Sequence, residues 1–372
     1  MAIFYRSGAK VREVRSSGSI MKYIEYFNAK SIIDITNRMA INNPEMVHVS
    51  HLMPRTSQNN TIVALELRSD THSRKPGILV VGALNGMAWG APSSIIDLAD
   101  KLLYDANYQT PFFNDYDWYL IPLVNPDALD FTRSLRNHRT INGIVWARNI
   151  TARNNTKPSE WYKNVDSDMQ CFGTNINRNF AYHWQDDVRK TPDNCSQHYP
   201  GVRPFSTPES RAIHQYMHKL GDSISLAIHV EASFVAKKHS PATTELIFAQ
   251  EFILYPWQYT LRQPSNGRTL QAIGEYAARQ ARLPDGRLFE VHQNSNDGVV
   301  AGSLTDYISG VLGTDLVFLV KPYHPTYPNI NDTAALELYV KKTIAAIFGL
   351  VRGWRSSTKQ NTLSFFGKDV EF

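Results

Sequence analysis

The sequence predicts an α/β fold in which helices cover both faces of a mainly parallel sheet. Three observations carry that prediction. Segments of strand period and of helical period alternate along the chain. Two strand segments, ILVVGA (78–83) and WYLIPLV (118–124), are almost continuously apolar, as strands buried on both faces are. The helical segments each carry an apolar stripe with polar residues between.

Taken in order, Ile24, Phe27, Ile32, Ile33 and Ile35 fall at helical spacing and predict a helix over 21–40. Strands are predicted at 61–68, 78–83, 118–124, 224–229, 246–254 and 316–320. Ahead of the third, Pro92 suits a first helical turn, and Ile95, Ile96, Leu98, Ala99, Leu102 and Leu103 make the stripe behind it. Thr207-Pro208-Glu209 opens another helix: a capping hydroxyl, a proline at the first position and an acid in the first turn. A terminal helix is predicted over 332–351, with Leu336, Val340, Ile344, Ile347 and Val351 on one side. The organisation expected is a flexible basic N-terminus (1–17), one domain (18–352) and a C-terminal tail (353–372), where periodicity fades.

Composition excludes several function classes. With 42% hydrophobic and 20% charged residues, the chain of 372 can bury a large core and is not a disordered acidic or basic tail. No apolar run is long enough to span a bilayer as a helix. A surplus of five positive charges, spread thinly, makes no nucleic-acid footprint. Two cysteines are too few for a zinc ribbon or a disulfide scaffold. The first residues lack the apolar stretch of a secretory signal.

Four islands in order, IPLVNPDALDFT (121–132), CFGTNINRNFAYHW (171–184), CSQHYPGVRPFSTPESRAI (195–213) and SISLAIHVEAS (223–233) with ILYPWQYT (253–260), resemble the zinc carboxypeptidase family of the carboxypeptidase A/B type. The resemblance spans about residues 20–352. It implies a three-layer α/β/α sandwich around a mixed, mostly parallel sheet of about eight strands. It also implies an enzyme that holds zinc through a His-x-x-Glu segment and a distant His. A Glu from a late strand serves as general base, an Arg stabilises the oxyanion, and an Asn-Arg pair grips the substrate carboxylate.

Most of that chemistry is absent from the matching positions. Trp89 fixes the register after ILVVGAL, so Asn85 stands at the histidine position and Ala88 at the glutamate position. Ala has no donor atom, and an amide oxygen is a poor zinc ligand. Met87 replaces a substrate-contacting Arg. Leu319, after Phe318, stands where the general base belongs, and Ala147 in Trp146-Ala147-Arg148-Asn149 stands at the oxyanion Arg, with Arg148 or Arg139 as substitutes. The capping Tyr position falls near Asp297. His229 remains at the third metal position, and Glu231 shares its strand face by period two. Asn177 and Arg178 remain at the carboxylate-gripping pair, where a structural role for the NINRNF turn is equally open. Cys171 and Cys195 match the family's disulfide, the alternative being two free thiols; the disulfide points to an extracellular or luminal compartment.

The expected function is therefore a carboxypeptidase-like pseudoenzyme with no cofactor, retaining recognition of a peptide C-terminus and binding neither nucleic acid nor membrane. Two alternatives stand beside it: an active metallocarboxypeptidase with an unconventional zinc site, and a structural or assembly protein reusing the fold. An insertion at 233–250 follows the His229 strand and either reshapes the cleft or is a surface excursion.

Overall fold

The computed structural model describes residues 24–70, 73–137, 161–166, 171–186, 193–234, 250–282, 288–324 and 333–366. The predicted N-terminal arm, Ala147 with its neighbours Arg139 and Arg148, and nearly all of the 233–250 insertion lie outside these residues. The strands are β1 (Val47–Leu52), β2 (Ile62–Leu67), β3 (Gly77–Gly82), β4 (Asp117–Ile121), β5 (Ile224–Val230), β6 (Phe252–Tyr255), β7 (Glu290–Gln293) and β8 (Leu316–Lys321). They form one eight-stranded sheet in the order β1-β2-β4-β3-β5-β8-β6-β7. Parallel pairings hold the centre (β4-β3-β5-β8); β1-β2, β2-β4 and β8-β6 pair antiparallel, and β6-β7 pair parallel at the edge. The fold is thus the mixed α/β sandwich of eight strands that the family resemblance implies, with the covered sheet that the alternation predicts.

Central strands are buried along most of their length; all six residues of β3 are buried. One apolar layer packs against α1 (Ala29–Asn42), α2 (Gly90–Tyr104), α5 (Gly267–Gln280) and α7 (Thr333–Phe366), around Ile32, Leu98, Ile273 and Ile347. The other packs against α4 (Pro208–Leu220) and α6 (Leu304–Gly310), around Ile213, Met217 and Tyr307. A further helix, α3 (Pro126–Asn137), opens from the Asn-Pro-Asp turn. The edge strands β1 and β7 have no counterpart in the sequence reading. Their sequences, VHVSHL and EVHQ, interleave polar residues because only part of each strand is covered.

Three boundaries differ from expectation. Helix α1 begins at Ala29, because the Asn28 side chain caps it by accepting from Ser31 N–H at 2.8 Å. Strand β6 begins at Phe252, after Gln250 and Glu251; residues 246–249 of the predicted strand lie outside the described residues. Helix α7 runs to Phe366, through the segment expected to be a tail. No proline interrupts it, so a helix already nucleated propagates. Its extension is also held from outside: Trp354 packs on Tyr116 at 5.2 Å and Arg355 pairs with Asp115 at 3.0 Å.

Cys171 and Cys195 form a disulfide across a sequence separation of 24. Closing a loop of that length stabilises the fold by roughly 3 kcal/mol in the chain-entropy picture. Helix α4 starts as predicted, with Thr207 Oγ1 accepting from Ser210 N–H at 3.1 Å. The first-turn acid Glu209 is, however, fully buried. Burial, followed by the carboxylates of Asp166 and Asp127, pushes its carboxyl up to about 8. Between about pH 4.5 and 8 the folded state therefore holds a proton that the unfolded chain has released. Glu209's contribution to stability is present in full below that window and lost as pH rises through it. Glu209→Gln is expected to flatten the fall in unfolding free energy between pH 5 and 8. Chemical denaturation at a series of pH values checks this; an unchanged slope contradicts it.

Candidate functional site

In open sheets, ligand sites form outside the carboxyl ends of strands where the strand order reverses. Here the chain leaves β3 for β4 on one side and returns to β5 on the other, so that point is the junction of β3 and β5. His229 ends β5 there, in register with Val81 of β3 and Leu319 of β8. The position expected to carry the base thus lies directly beside His229 across the sheet, and it is a buried leucine.

The turn after β3 is tightly fixed. Ala83 adopts a positive φ of 56°, which turns the chain out of the sheet. Asn125, from the Asn-Pro-Asp turn, is buried and donates through Nδ2 to Leu84 O at 2.9 Å. Thr132 Oγ1 and Trp89 Nε1 both donate to Gly86 O, at 2.7 and 3.2 Å. Within this turn Asn85 Oδ1 accepts from Met87 N–H at 2.9 Å. Ala88 and Met87 are buried.

The unexpected element is Glu231. Its Oε1 accepts from the backbone N–H of Leu84 at 2.8 Å and of Asn85 at 3.1 Å, and lies 2.9 Å from His229 Nε2. Its own backbone carbonyl accepts from Tyr339 Oη at 2.5 Å. Sequence reasoning paired His229 with Glu231 by period, but not Glu231 with residues 84 and 85. The available signal was an acid inside the apolar run SISLAIHVEAS, which needs buried partners. Among the described residues, His229 Nδ1 and Glu231 Oε2 are buried with no hydrogen-bond partner.

Asn177 and Arg178 sit in a short helical turn, Ile176–Arg178. Asn177 Oδ1 accepts from Leu304 N–H at 3.0 Å, which ties the turn to the start of α6. Gly302 has a φ of 74° and passes so close that a Cβ would stand 2.5 Å from Arg178 O, so only glycine fits. Beyond it lie Ser303 and Thr305, buried, with hydroxyls 3.3 Å apart. The Asp306 carboxylate accepts from Gln258 and Tyr259 N–H, each at 2.9 Å; burial outweighs these bonds and pushes it up to about 7.

A family profile described as Zinc carboxypeptidase matches residues 32–323. Carboxypeptidase B of Astacus astacus is 21% identical over 306 residues, 81% of this chain and 87% of its own. A protein of Saccharomyces cerevisiae named Inactive metallocarboxypeptidase ECM14 is 24% identical over 279 residues, 71% of this chain and 56% of its own. Among solved structures, bovine thrombin-activatable fibrinolysis inhibitor, in complex with tick carboxypeptidase inhibitor, aligns with a TM-score of 0.70 at 17% identity, over 90% of this chain and 100% of that one. Carboxypeptidase A from Helicoverpa armigera aligns at 0.71 with 18% identity, over 91% and 76%. These likenesses show the fold.

Proposed function

The chain belongs to the zinc carboxypeptidase family, and we propose that it is a non-hydrolytic member that binds peptides by their free C-terminal carboxylate. One observation carries the reading: the ends of β3 and β5, where such an enzyme would hold its metal, are joined by the chain's own Glu231 carboxylate. A catalytic zinc needs three protein ligands and an open position. The positions expected to supply them offer His229, an Asn85 oxygen already accepting from Met87, and the methyl group of Ala88. That donor set does not fit the ion. Leu319 beside His229 offers no base. The yeast relative named as inactive supports the same reading.

Recognition falls to Asn177 and Arg178. With Asn177 Oδ1 committed to Leu304 N–H, its Nδ2 group is left to donate to a carboxylate oxygen. The Arg178 guanidinium supplies the bidentate fork that a carboxylate matches. The disulfide supports an extracellular or luminal setting for such peptides. A screen of a broad C-terminal peptide library tests the reading. Free-acid peptides are expected to bind at least about tenfold more tightly than their amides, the size of a charge-assisted bond. Arg178→Ala is expected to abolish that difference. A library with no free-acid binder sinks it.

A second reading rests on the two partnerless buried atoms, His229 Nδ1 and Glu231 Oε2, which are donors of the kind metals use. On it the chain is an active metallocarboxypeptidase with an unconventional metal site. Stoichiometric zinc lost together with peptide hydrolysis in His229→Gln would decide for that reading.

A further inference from the structure

Helices α4 and α6 bring together three side chains that the strand-end site does not use. His214 and His218 lie one turn apart on the same face of α4. The Tyr307 hydroxyl, from α6, is 2.7 Å from His214 Nδ1 and 2.9 Å from His218 Nε2. The two imidazole rings are 4.4 Å apart. Phe205 stacks on the His214 ring at 4.4 Å and meets Tyr307 edge-on at 5.4 Å, which fixes both planes. Tyr307 is buried, His214 half-buried and His218 exposed, so the cluster opens to solvent on one side.

We propose that His214, His218 and Tyr307 form a site for a divalent transition-metal ion of the zinc, nickel or copper class, with water completing the coordination. Two histidines four residues apart on one helix face have the spacing by which helical imidazoles share a metal. Around a tetrahedral ion with bonds of about 2.0–2.1 Å, neighbouring ligand atoms stand about 3.3 Å apart. The two distances to the Tyr307 oxygen therefore need to widen by only about half an ångström to admit the ion. Burial, then the neighbouring His218, holds His214 below the ordinary imidazole value, which keeps it in the neutral form a metal requires. Tyr307 is pushed up to about 12 by burial, so it starts as the neutral phenol. On binding, the phenolic O–H bond breaks, the oxygen bonds the metal, and one proton passes to solvent. Among the described residues no group of three His, Cys, Asp or Glu is arranged for a metal; here the third donor is a phenol.

Zinc titration of the chelator-stripped full-length protein, followed by calorimetry in buffers of different protonation heat, tests the site. Expected are one equivalent bound, a proton released and a melting temperature that climbs with zinc concentration. His218→Ala, at an exposed position, is expected to weaken zinc at least about tenfold, the loss that even outer-shell changes cause. Tyr307→Phe is expected to remove the proton release, and His229→Gln to leave the affinity unchanged. Wild-type affinity in His218→Ala, loss of binding in His229→Gln, or no binding at all overturns the proposal. Undiminished proton release in Tyr307→Phe overturns the phenol's part in it.

Discussion

Lys342→Met is expected to destabilise the fold by about 3–5 kcal/mol, the cost of stranding a buried charge. Lys342 lies in the middle of α7 and Glu251 at the entrance to β6; both are almost wholly inaccessible, and their charged atoms are 2.5 Å apart. The other Glu251 oxygen accepts from Tyr323 N–H at 3.2 Å, so the carboxylate is held from two sides. Removing the cation leaves the anion with the amide alone. A Lys342→Met/Glu251→Leu double variant is expected to recover most of the loss, because apolar residues of similar volume replace such pairs at little cost. Urea denaturation of both variants decides it: a single variant within about 1 kcal/mol of wild type would mean that the pair is hydrated.

Asn179→Ala is expected to cost upwards of about 3 kcal/mol, since several buried polar groups lose their partner at once. Its Nδ2 donates to Pro200 O at 2.7 Å, Arg203 O at 3.0 Å and Ser206 Oγ at 2.9 Å. Its Oδ1 accepts from Thr207 N–H at 3.1 Å and Ser210 Oγ at 2.7 Å. One inaccessible amide thus ties the 175–180 turn to the segment that caps α4. Asn179→Asp is expected to fail as well, because it turns a donor facing two carbonyl oxygens into an acceptor. A thermal melt of either variant near the wild-type value would contradict this. Read beside the peptide binding of Arg178→Ala, these variants separate what the NINRNF turn does for the fold from what it does for a ligand.

That separation marks how far the sequence could be read. Strands β3 and β4 were legible because burial on both faces writes itself as an almost continuous apolar run. The capped start of α4 was legible because capping is local chemistry. Strands β1 and β7 were not, since a half-covered edge carries a mixed sequence. Nor was the continuation of α7, whose support comes from Asp115 and Tyr116, far away in the chain. At the site, the expected substitutions at 85, 88 and 319 rest on the register that Trp89 and Phe318 set against the family pattern. What fills the place was not legible. The bonds of Glu231 reach residues 84 and 85 only after β3 and β5 have paired, and nothing in the local sequence announces such a partner.

The same bonds make the strand-end residues interdependent. The Glu231 carboxylate is the acceptor for two backbone N–H groups of the very turn that holds positions 85 and 88. Positions 85 and 88 lie in that turn, and 319 lies beside His229, which the same carboxylate contacts. Moving Glu231 aside to receive a cation would in turn strip the turn of its acceptor. Substitutions at these four positions therefore carry effects that depend on one another and do not add. For a lineage, that is contingency: what a change at any one of these positions does depends on what already stands at the others.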